Sequence, residues 1–355
     1  MSTPPKMTVT MLGAPGSGKT MFLHGMYAIL SAGFEGYFLY TVDPDQDLDL
    51  MDAWDLLSDK GETPPPNDPE PVPYDFVLKD GLTPLVEIDL VDFRGGAALD
   101  RVAEGPDDVR VLRERLARSD SIYLVLDGAN VGRTVASILA SGQTGPAVLD
   151  RGQDSTQVAR LMRFISDATQ ARTSRGQAAP SVVVLISKTD LLAQTSGVSR
   201  AEALAVVAKN LDRLASIATV KGVTAMVCPV SIGAFGTGDS DRVDPTALNP
   251  ENVYHPMIFS LWHFLSEGQD EHALALRRDN ARLSAAAEVV SERRGQLFGS
   301  WRHSTVISQN EQEMAALRER IAELKQTMSE EGRRAVTLMS ALAGMPIIKD
   351  GEWQS

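Results

Sequence analysis

Residues 7–27 read MTVTMLGAPGSGKTMFLHGMY, and this stretch restricts the fold more than any other part of the chain. A run of alternating apolar residues ends at Gly13, a glycine-rich turn follows, and helical apolar spacing begins at Lys19. The pattern predicts a strand over 7–12, a tight loop, and a helix over 19–31.

The loop fits the pattern G-x-x-x-x-G-K-[ST], whose chemistry is phosphate binding. Its glycines let the backbone curl so that N–H groups point at phosphate oxygens, and the helix that follows adds the positive end of its dipole. Lys19 can reach the β- and γ-phosphates, and the Thr20 hydroxyl can ligate Mg²⁺. We therefore expect a nucleoside triphosphate to be held by Gly13, Ala14, Pro15, Gly16, Ser17, Gly18, Lys19, Thr20 and Met21.

Composition narrows the class of protein. The chain has 355 residues, 43% of them hydrophobic, and a net charge of −13 that is carried mainly before residue 269. Such acidity disfavours binding along a nucleic-acid backbone, which usually needs a basic stripe. The single cysteine, Cys228, excludes a disulfide framework and a cysteine zinc site. We expect a cytoplasmic protein, because neither a signal core nor an apolar run of about 18 residues is present.

Strands alternate with helices along the first 268 residues. This order predicts an α/β fold, a P-loop NTPase architecture with a mostly parallel six-stranded sheet and helices on both faces. A hairpin turn at Asp80-Gly81 is expected to add an antiparallel edge strand, and Asn249-Pro250 to open a helix. Ser199 and Glu202 have the spacing of a helix capping box, as do Ser308 and Glu311.

The chain divides into a domain over 1–268 and a helical, coiled-coil-like extension over 269–355. Met314, Leu317, Ile321, Leu324 and Met328 alternate in steps of three and four, which is the spacing of a coiled-coil seam. Two readings stay open here. The extension folds back as paired helices within the chain, or it forms an intermolecular coiled coil that would support a homodimer.

A second motif follows the predicted strand over 85–91. Asp92-Phe93-Arg94-Gly95 fits D-x-x-G, in which the aspartate can hold Mg²⁺ through a water and the glycine N–H can meet a γ-phosphate. Arg94 could also reach the phosphates, or it could be an ordinary surface arginine. We take Lys19, Arg94 and Gly95 as the catalytic candidates.

A third motif could read the base. Ser187-Lys188-Thr189-Asp190 follows the strand SVVVLI, and its aspartate can accept two hydrogen bonds from guanine N1 and N2, which adenine cannot supply. The Lys188 stem can lie over the purine ring. After the next strand, the backbone at Ser231 and Ile232 could meet guanine O6.

Together and in this order, the three motifs resemble those of the Ras-like (TRAFAC-class) P-loop GTPases over residues 7–266. Among bacterial branches the chain looks most like the double-GTPase-type proteins of multi-gene systems. The resemblance implies GTP/GDP and Mg²⁺ as ligands. It also implies a switch threonine before the strand over 74–79, for which Thr63 is our candidate metal ligand and Thr41 the alternative.

Two departures from the family pattern bear on activity. Ser187 replaces the usual asparagine or threonine of the base motif, and Gly96 stands where Ras-like enzymes carry a water-orienting glutamine. Because a glycine cannot position the attacking water, we expect slow intrinsic hydrolysis unless a partner completes the site in trans.

The resulting hypothesis is a GTP-binding switch that regulates or recruits a protein partner through its switch loops and C-terminal helices. A GTP-dependent assembly protein with incidental hydrolysis is the first alternative. An ATP-using P-loop kinase or ATPase is the second.

Overall fold

The computed structural model describes residues 4–64, 71–93, 106–141, 153–220, 222–236, 242–295 and 304–354, and every structural statement below concerns these ranges. Eleven strands are found in them: β1 Lys6–Gly13, β2 Tyr37–Thr41, β3 Val72–Asp80, β4 Thr83–Asp92, β5 Ser121–Asp127, β6 Ser181–Ser187, β7 Thr224–Pro229, β8 Ser231–Gly233, β9 Leu248–Glu251, β10 Ile347–Lys349 and β11 Glu352–Gln354.

Ten α-helices lie in the same ranges: α1 Lys19–Ala32, α2 Pro44–Lys60, α3 Pro106–Leu116, α4 Gly128–Ser141, α5 Gln153–Thr173, α6 Thr189–Ser196, α7 Arg200–Lys209, α8 Leu211–Leu214, α9 His255–Gly295 and α10 Ser304–Ala341. The helix expected after the glycine-rich loop is therefore confirmed as α1. The capping box at Ser199 is confirmed as well, since its hydroxyl accepts from Glu202 N–H and the Glu202 side chain returns to the Ser199 N–H.

The sheet is larger and more mixed than the sequence predicted. It has nine strands in the order β11-β10-β7-β6-β5-β1-β4-β3-β2. The five strands from β7 to β4 are parallel, whereas β2, β3, β10 and β11 pair antiparallel with their neighbours. The expected mostly parallel six-stranded sheet was wrong, because β2 extends one side and β10–β11 extend the other.

The edge of the sheet also differs from the expectation. The hairpin at Asp80-Gly81 forms as predicted, with Gly81 at φ 58°. However, β3 does not lie at the edge, since β2 pairs with it over Tyr37–Thr41. The sequence analysis assigned no strand there, and β2 leads directly into the acidic helix α2.

Two further boundaries need correction. Asn249 and Pro250 lie in β9, which pairs with β8, so the helix opens only at His255. Ser308 and Glu311 lie inside α10, whose described residues begin at Ser304, so they are not a helix start.

The chain divides into two compact units, one of residues 1–260 with 344–355 and one of Leu261–Ala343. The sequence-based division assigned everything after residue 268 to a helical extension, whereas β10 and β11 belong to the sheet of the first unit. Ile347 and Ile348 of β10 are 3% and 1% exposed.

The second unit is a pair of long helices. Within it, Asp279 pairs with Arg320 at 3.1 Å and His272 with Glu331 at 3.0 Å. Because the partner numbers fall on one helix as they rise on the other, the helices are antiparallel. Leu317 and Ile321 of the predicted seam are each 7% exposed, so the seam packs within the chain.

In the described parts of the chain, every helix is too short or too polar to cross a lipid bilayer.

Candidate functional site

The glycine-rich loop leaves the carboxyl end of β1 and enters α1 through two left-handed glycines. Gly16 has φ 70° and Gly18 has φ 82°, conformations that side-chain-bearing residues rarely adopt. Gly13 is required for another reason: a Cβ there would lie 2.7 Å from both the Ser17 hydroxyl and the Val125 carbonyl oxygen. The pattern of glycines read from the sequence therefore matches the positions where this turn has no room for a side chain or needs positive φ.

Lys19 lies at the centre of the loop. Its ammonium donates to the carbonyl oxygens of Gly13 and Ala14, at 3.2 and 3.1 Å. The residue is 8% exposed, and burial lowers the pKa of its amine, an effect that the charge of Asp92 opposes. A buried ammonium group held against two backbone carbonyls is suited to binding an anion such as phosphate.

Thr20 and Asp92 meet beside this loop. The Thr20 hydroxyl donates to the Asp92 carboxylate at 3.4 Å, and Asp92 is 1% exposed at the end of β4. Register explains the meeting, because Met11 of β1 pairs with Asp92 of the neighbouring parallel strand. A hydroxyl and a carboxylate oxygen are the ligand types that Mg²⁺ prefers, so this donor set fits magnesium.

The third motif rests directly on the loop. Ser187 donates its hydroxyl hydrogen bond to the Ser17 carbonyl oxygen at 2.6 Å and contacts the Leu126 carbonyl at 3.2 Å. Lys188, in a left-handed conformation with φ 48°, donates to the Gly16 carbonyl at 2.7 Å. Two hydrogen bonds therefore join segments that lie far apart in sequence.

Asp190 lies in the first turn of α6, two residues beyond that contact. Burial raises the pKa of its carboxyl group, while backbone N–H groups of Asp190, Gly236 and Leu191 and the charge of Lys188 work in the opposite direction. The carboxylate is thus held by fixed donors in a partly desolvated place, which suits an acceptor for donor groups of a base.

Ser231 and Ile232 follow β7 and are 7% and 8% exposed. The turn that leads to them is tied to β6, since Val230 N–H donates to the Ile186 carbonyl at 2.7 Å. Beside Asp190 lies a cavity of about 210 Å³, whose wall includes Ser231, Gly233, Ala247 and Glu251. Of the predicted base residues, Asp190 and Ser231 thus line one cavity.

Asp127 also lies at this site, although no sequence motif indicated it. This residue ends β5, pairs in register with Ser187, and forms an ion pair with Lys188 at 2.9 Å. Its other carboxylate oxygen accepts from the Ala129 and Asn130 N–H groups at the start of α4. The signal that could have revealed it is an aspartate directly after the buried strand SIYLVL.

The remaining candidates from the sequence are the residues after Asp92 and the two switch threonines. Arg94, Gly95 and Gly96 lie outside the described residues. Thr63 is described, and its neighbour Glu62 is bonded to Arg242 at 2.8 Å. The alternative, Thr41, ends β2 and donates to the Asp43 carbonyl at 2.9 Å. The metal role of Thr63 stays a prediction.

Two groups near α1 carry perturbed pKa values without a predicted role. Burial lowers the pKa of His24 to about 4, so its imidazole is neutral near pH 7. Burial and the charges of Asp92 and Asp49 raise the pKa of the Tyr74 phenol. Both groups reflect the low polarity of the face on which α1 packs.

No protein-family model matches the chain, and no curated protein matches it. Solved structures similar to it include the translation elongation factor SelB from Methanococcus maripaludis with the GTP analogue GppNHp (13% identity, 65% of this chain, TM-score 0.30). A second is the S. cerevisiae Ski7 GTPase-like domain bound to GTP, with 17% identity over 72% of this chain and a TM-score of 0.32. A third is a mutant of S. thermophilus NFeoB bound to GDP, with 11% identity over 96% of this chain and a TM-score of 0.29.

The shares of those three chains that are covered are 31%, 50% and 99% respectively. The chain thus spans about a third of SelB and half of Ski7. TM-scores near 0.3 leave the assignment of function to the residues of this chain itself.

Proposed function

We propose that this chain binds GTP and GDP with Mg²⁺ and acts as a nucleotide-dependent switch with slow GTP hydrolysis. The observation that carries the proposal is the pair of hydrogen bonds from Ser187 and Lys188 to the carbonyls of Ser17 and Gly16. These bonds place a guanine-compatible motif against a phosphate loop, so that one nucleotide can meet both.

Each residue has a distinct part in this proposal. The loop amides and Lys19 hold the phosphates. Thr20 and Asp92 would hold the metal, which would offset negative charge on the phosphates. Asp190 accepts hydrogen bonds from N1 and N2 of guanine. Lys188 fixes the base motif to the loop through Gly16 and to the end of β5 through Asp127.

Hydrolysis is proposed to be slow. The residue after D-x-x-G is Gly96, which has no side chain to orient the attacking water. A switch needs only that the γ-phosphate favours one arrangement of the segments near Thr63 and Asp92, so turnover can be left to a partner.

Calorimetry with GDP and with ADP tests the choice of base. We expect GDP to bind at least about 100-fold more tightly, because adenine presents no donor pair to Asp190. Asp190→Asn should lose most of this preference, while Asp212→Asn, at an exposed position of α8, should keep it. A preference for ADP would reject guanine binding and favour the ATP-using alternative. An Asp190→Asn variant that kept the full preference for GDP would reject Asp190 as the residue that recognises the base.

A GTP-dependent assembly role is the second candidate, and the second unit favours it. Leu274 of α9 and Val336 of α10 are 59% and 71% exposed, so these helices present apolar side chains outside their own seam. Apolar side chains exposed on long helices support association where they form a contiguous patch.

The mass of the protein in solution separates the two candidates. An assembly protein should change its mass by light scattering when a non-hydrolysable GTP analogue replaces GDP. A variant with residues 269–343 replaced by a short linker should not, and this deletion spares β10 and β11, which truncation after residue 268 would remove. An unchanged mass in both nucleotides would reject the assembly role.

A further inference from the structure

The residues that directly follow α2 contact Arg242 and Val243, which precede β9. After α2, Gly61 has φ 68°, and its carbonyl oxygen accepts from the Val243 N–H at 2.7 Å. A Cβ at Gly61 would collide with the Val243 carbonyl oxygen. The next residue, Glu62, forms a bridge and an ion pair with Arg242 at 2.8 Å. We call the contact between Gly61–Glu62 and Arg242–Val243 the α2 clamp.

From the clamp, hydrogen bonds continue toward the cavity beside Asp190. Asp244 follows Val243, and its carbonyl oxygen accepts from Ala247 N–H at 3.0 Å. The Ala247 carbonyl accepts from Ala234 N–H at 3.1 Å, and Ala247 also lines the cavity beside Asp190. Ala234 lines the same cavity as Asp190. Two residues beyond it, the Gly236 backbone opposes the rise that burial gives to the pKa of the Asp190 carboxyl group.

A second contact joins α2 to Ile232, near the cavity beside Asp190. A Cβ built on Gly25 of α1 would lie 2.6 Å from Ile232 and 3.2 Å from the indole of Trp54. Helix α1, strand β8 and helix α2 therefore converge at one glycine. Because interiors are closely packed, a shift of α2 cannot leave Ile232 where it is.

We propose that the α2 clamp positions residues 231–236 for guanine recognition, so that Gly61 and Val243 are positioning residues for base selectivity. The proposal rests on the guanine-nucleotide function proposed above. Its physical basis is the series of backbone hydrogen bonds that leads from Gly61 to Ala234 in the wall of the cavity beside Asp190. The packing of Trp54 and Ile232 around Gly25 adds a second contact.

The test compares Gly61→Ala with Gly176→Ala in the full chain. Gly176 has a similar φ of 72°, but its Cβ would meet nothing within 4 Å, so it controls for backbone strain alone. The readouts are dissociation of fluorescent GDP and the ratio of affinities for GDP and inosine diphosphate, which lacks the 2-amino group. Loss of one well-placed hydrogen bond corresponds to about tenfold in affinity.

We expect Gly61→Ala to release GDP about tenfold faster and to lose about tenfold of the discrimination against inosine diphosphate. Pyrophosphate affinity, which depends on the loop at 13–20, should stay unchanged, as should all three measurements for Gly176→Ala. Val243→Pro, which removes the donor to Gly61, should reproduce the effect by different chemistry.

Wild-type release and discrimination in both Gly61→Ala and Val243→Pro would overturn the clamp. Equal losses of pyrophosphate and GDP affinity would also overturn it, because they would indicate general loss of the fold. If the wild-type chain itself binds GDP and inosine diphosphate equally, guanine recognition fails, and that result is separate from any effect of the variants.

Discussion

Asp190 and Lys19 are both charged groups whose burial works against their charge. Burial raises the pKa of the Asp190 carboxyl and lowers that of the Lys19 amine. In each case fixed neighbours partly offset the cost: backbone N–H groups for Asp190, and the charge of Asp92 for Lys19. Perturbed groups of opposite sign, one for the base and one for the phosphates, are typical of a binding site.

The raised pKa of Asp190 predicts a pH dependence. A raised folded-state pKa means that the ionised carboxylate opposes folding, so the stability that this group contributes is lost as pH rises. GDP affinity should behave oppositely, because only the ionised form accepts both hydrogen bonds from guanine. We expect GDP affinity, measured by calorimetry, to fall as pH is lowered through this raised pKa.

The control for that titration is Asp190→Asn, whose weaker GDP binding should show no such fall over the same range. A parallel decline in both proteins would assign the pH dependence to another group.

Lys19→Ala tests the phosphate end of the site. The ammonium is the buried positive charge that contacts the loop carbonyls of Gly13 and Ala14. Charge-assisted hydrogen bonds to phosphate are among the stronger ones, so we expect GDP affinity to fall about 100-fold. Lys209→Ala, at the end of α7, should bind GDP normally. Undiminished binding by Lys19→Ala would contradict the phosphate-loop assignment.

At the scale of single elements, the sequence predicted the helices and strands that depend on residues close to one another in the chain. The strand SVVVLIS is buried at every position, and α1 and the Ser199 capping box depend on neighbours in sequence. The strands β2, β9 and β10 were not predicted, because strands of five, four and three residues form only where a distant partner supplies the hydrogen bonds.

The same distinction holds for the site. The loop at 13–20 could be read from spacing because each glycine answers a local backbone need. The position of Asp127 after a buried strand is visible in the sequence, but its partners are not, since they depend on register with Ser187 and on the reach of Lys188. Nor did spacing indicate that Gly61 would meet Val243, which lies far along the chain.

The capping box of α7 gives a prediction at this scale. Ser199→Ala removes the hydroxyl that accepts a hydrogen bond from the Glu202 N–H. We therefore expect the free energy of unfolding to fall by about 1 kcal/mol. Ser174→Ala, an exposed hydroxyl after α5, should change it by less than about 0.5 kcal/mol. Urea unfolding measures both, and equal values for the two variants would show that the cap adds nothing.

At the scale of the whole molecule, the chain leaves the sheet at α9 and returns to it at β10. Ile348 pairs in register with Ala225 of β7 and joins the hydrophobic core with Val223. The Pro346 carbonyl accepts from Val227 N–H at 2.9 Å, which adds a further bond to the same strand. Residues after the helical pair are therefore part of the first unit.

Ile348→Ala should destabilise that unit. The side chain is 1% exposed, and removing a buried isoleucine usually costs about 2–5 kcal/mol. Trp353→Ala, on β11 with 45% of its surface exposed, should cost much less. Urea unfolding followed in the presence and absence of GDP would measure both, and a negligible loss for Ile348→Ala would argue against the β7–β10 pairing.

The return of β10 to β7 also bears on biosynthesis. Met226 finds its neighbour Ile347 only after both long helices have been translated. Since chains emerge from the ribosome amino end first, β7 is an unpaired edge strand of the nascent sheet until β10 has been synthesised. Such an edge can pair with the wrong chain, so the time taken to synthesise α9 and α10 is a window of exposure to aggregation.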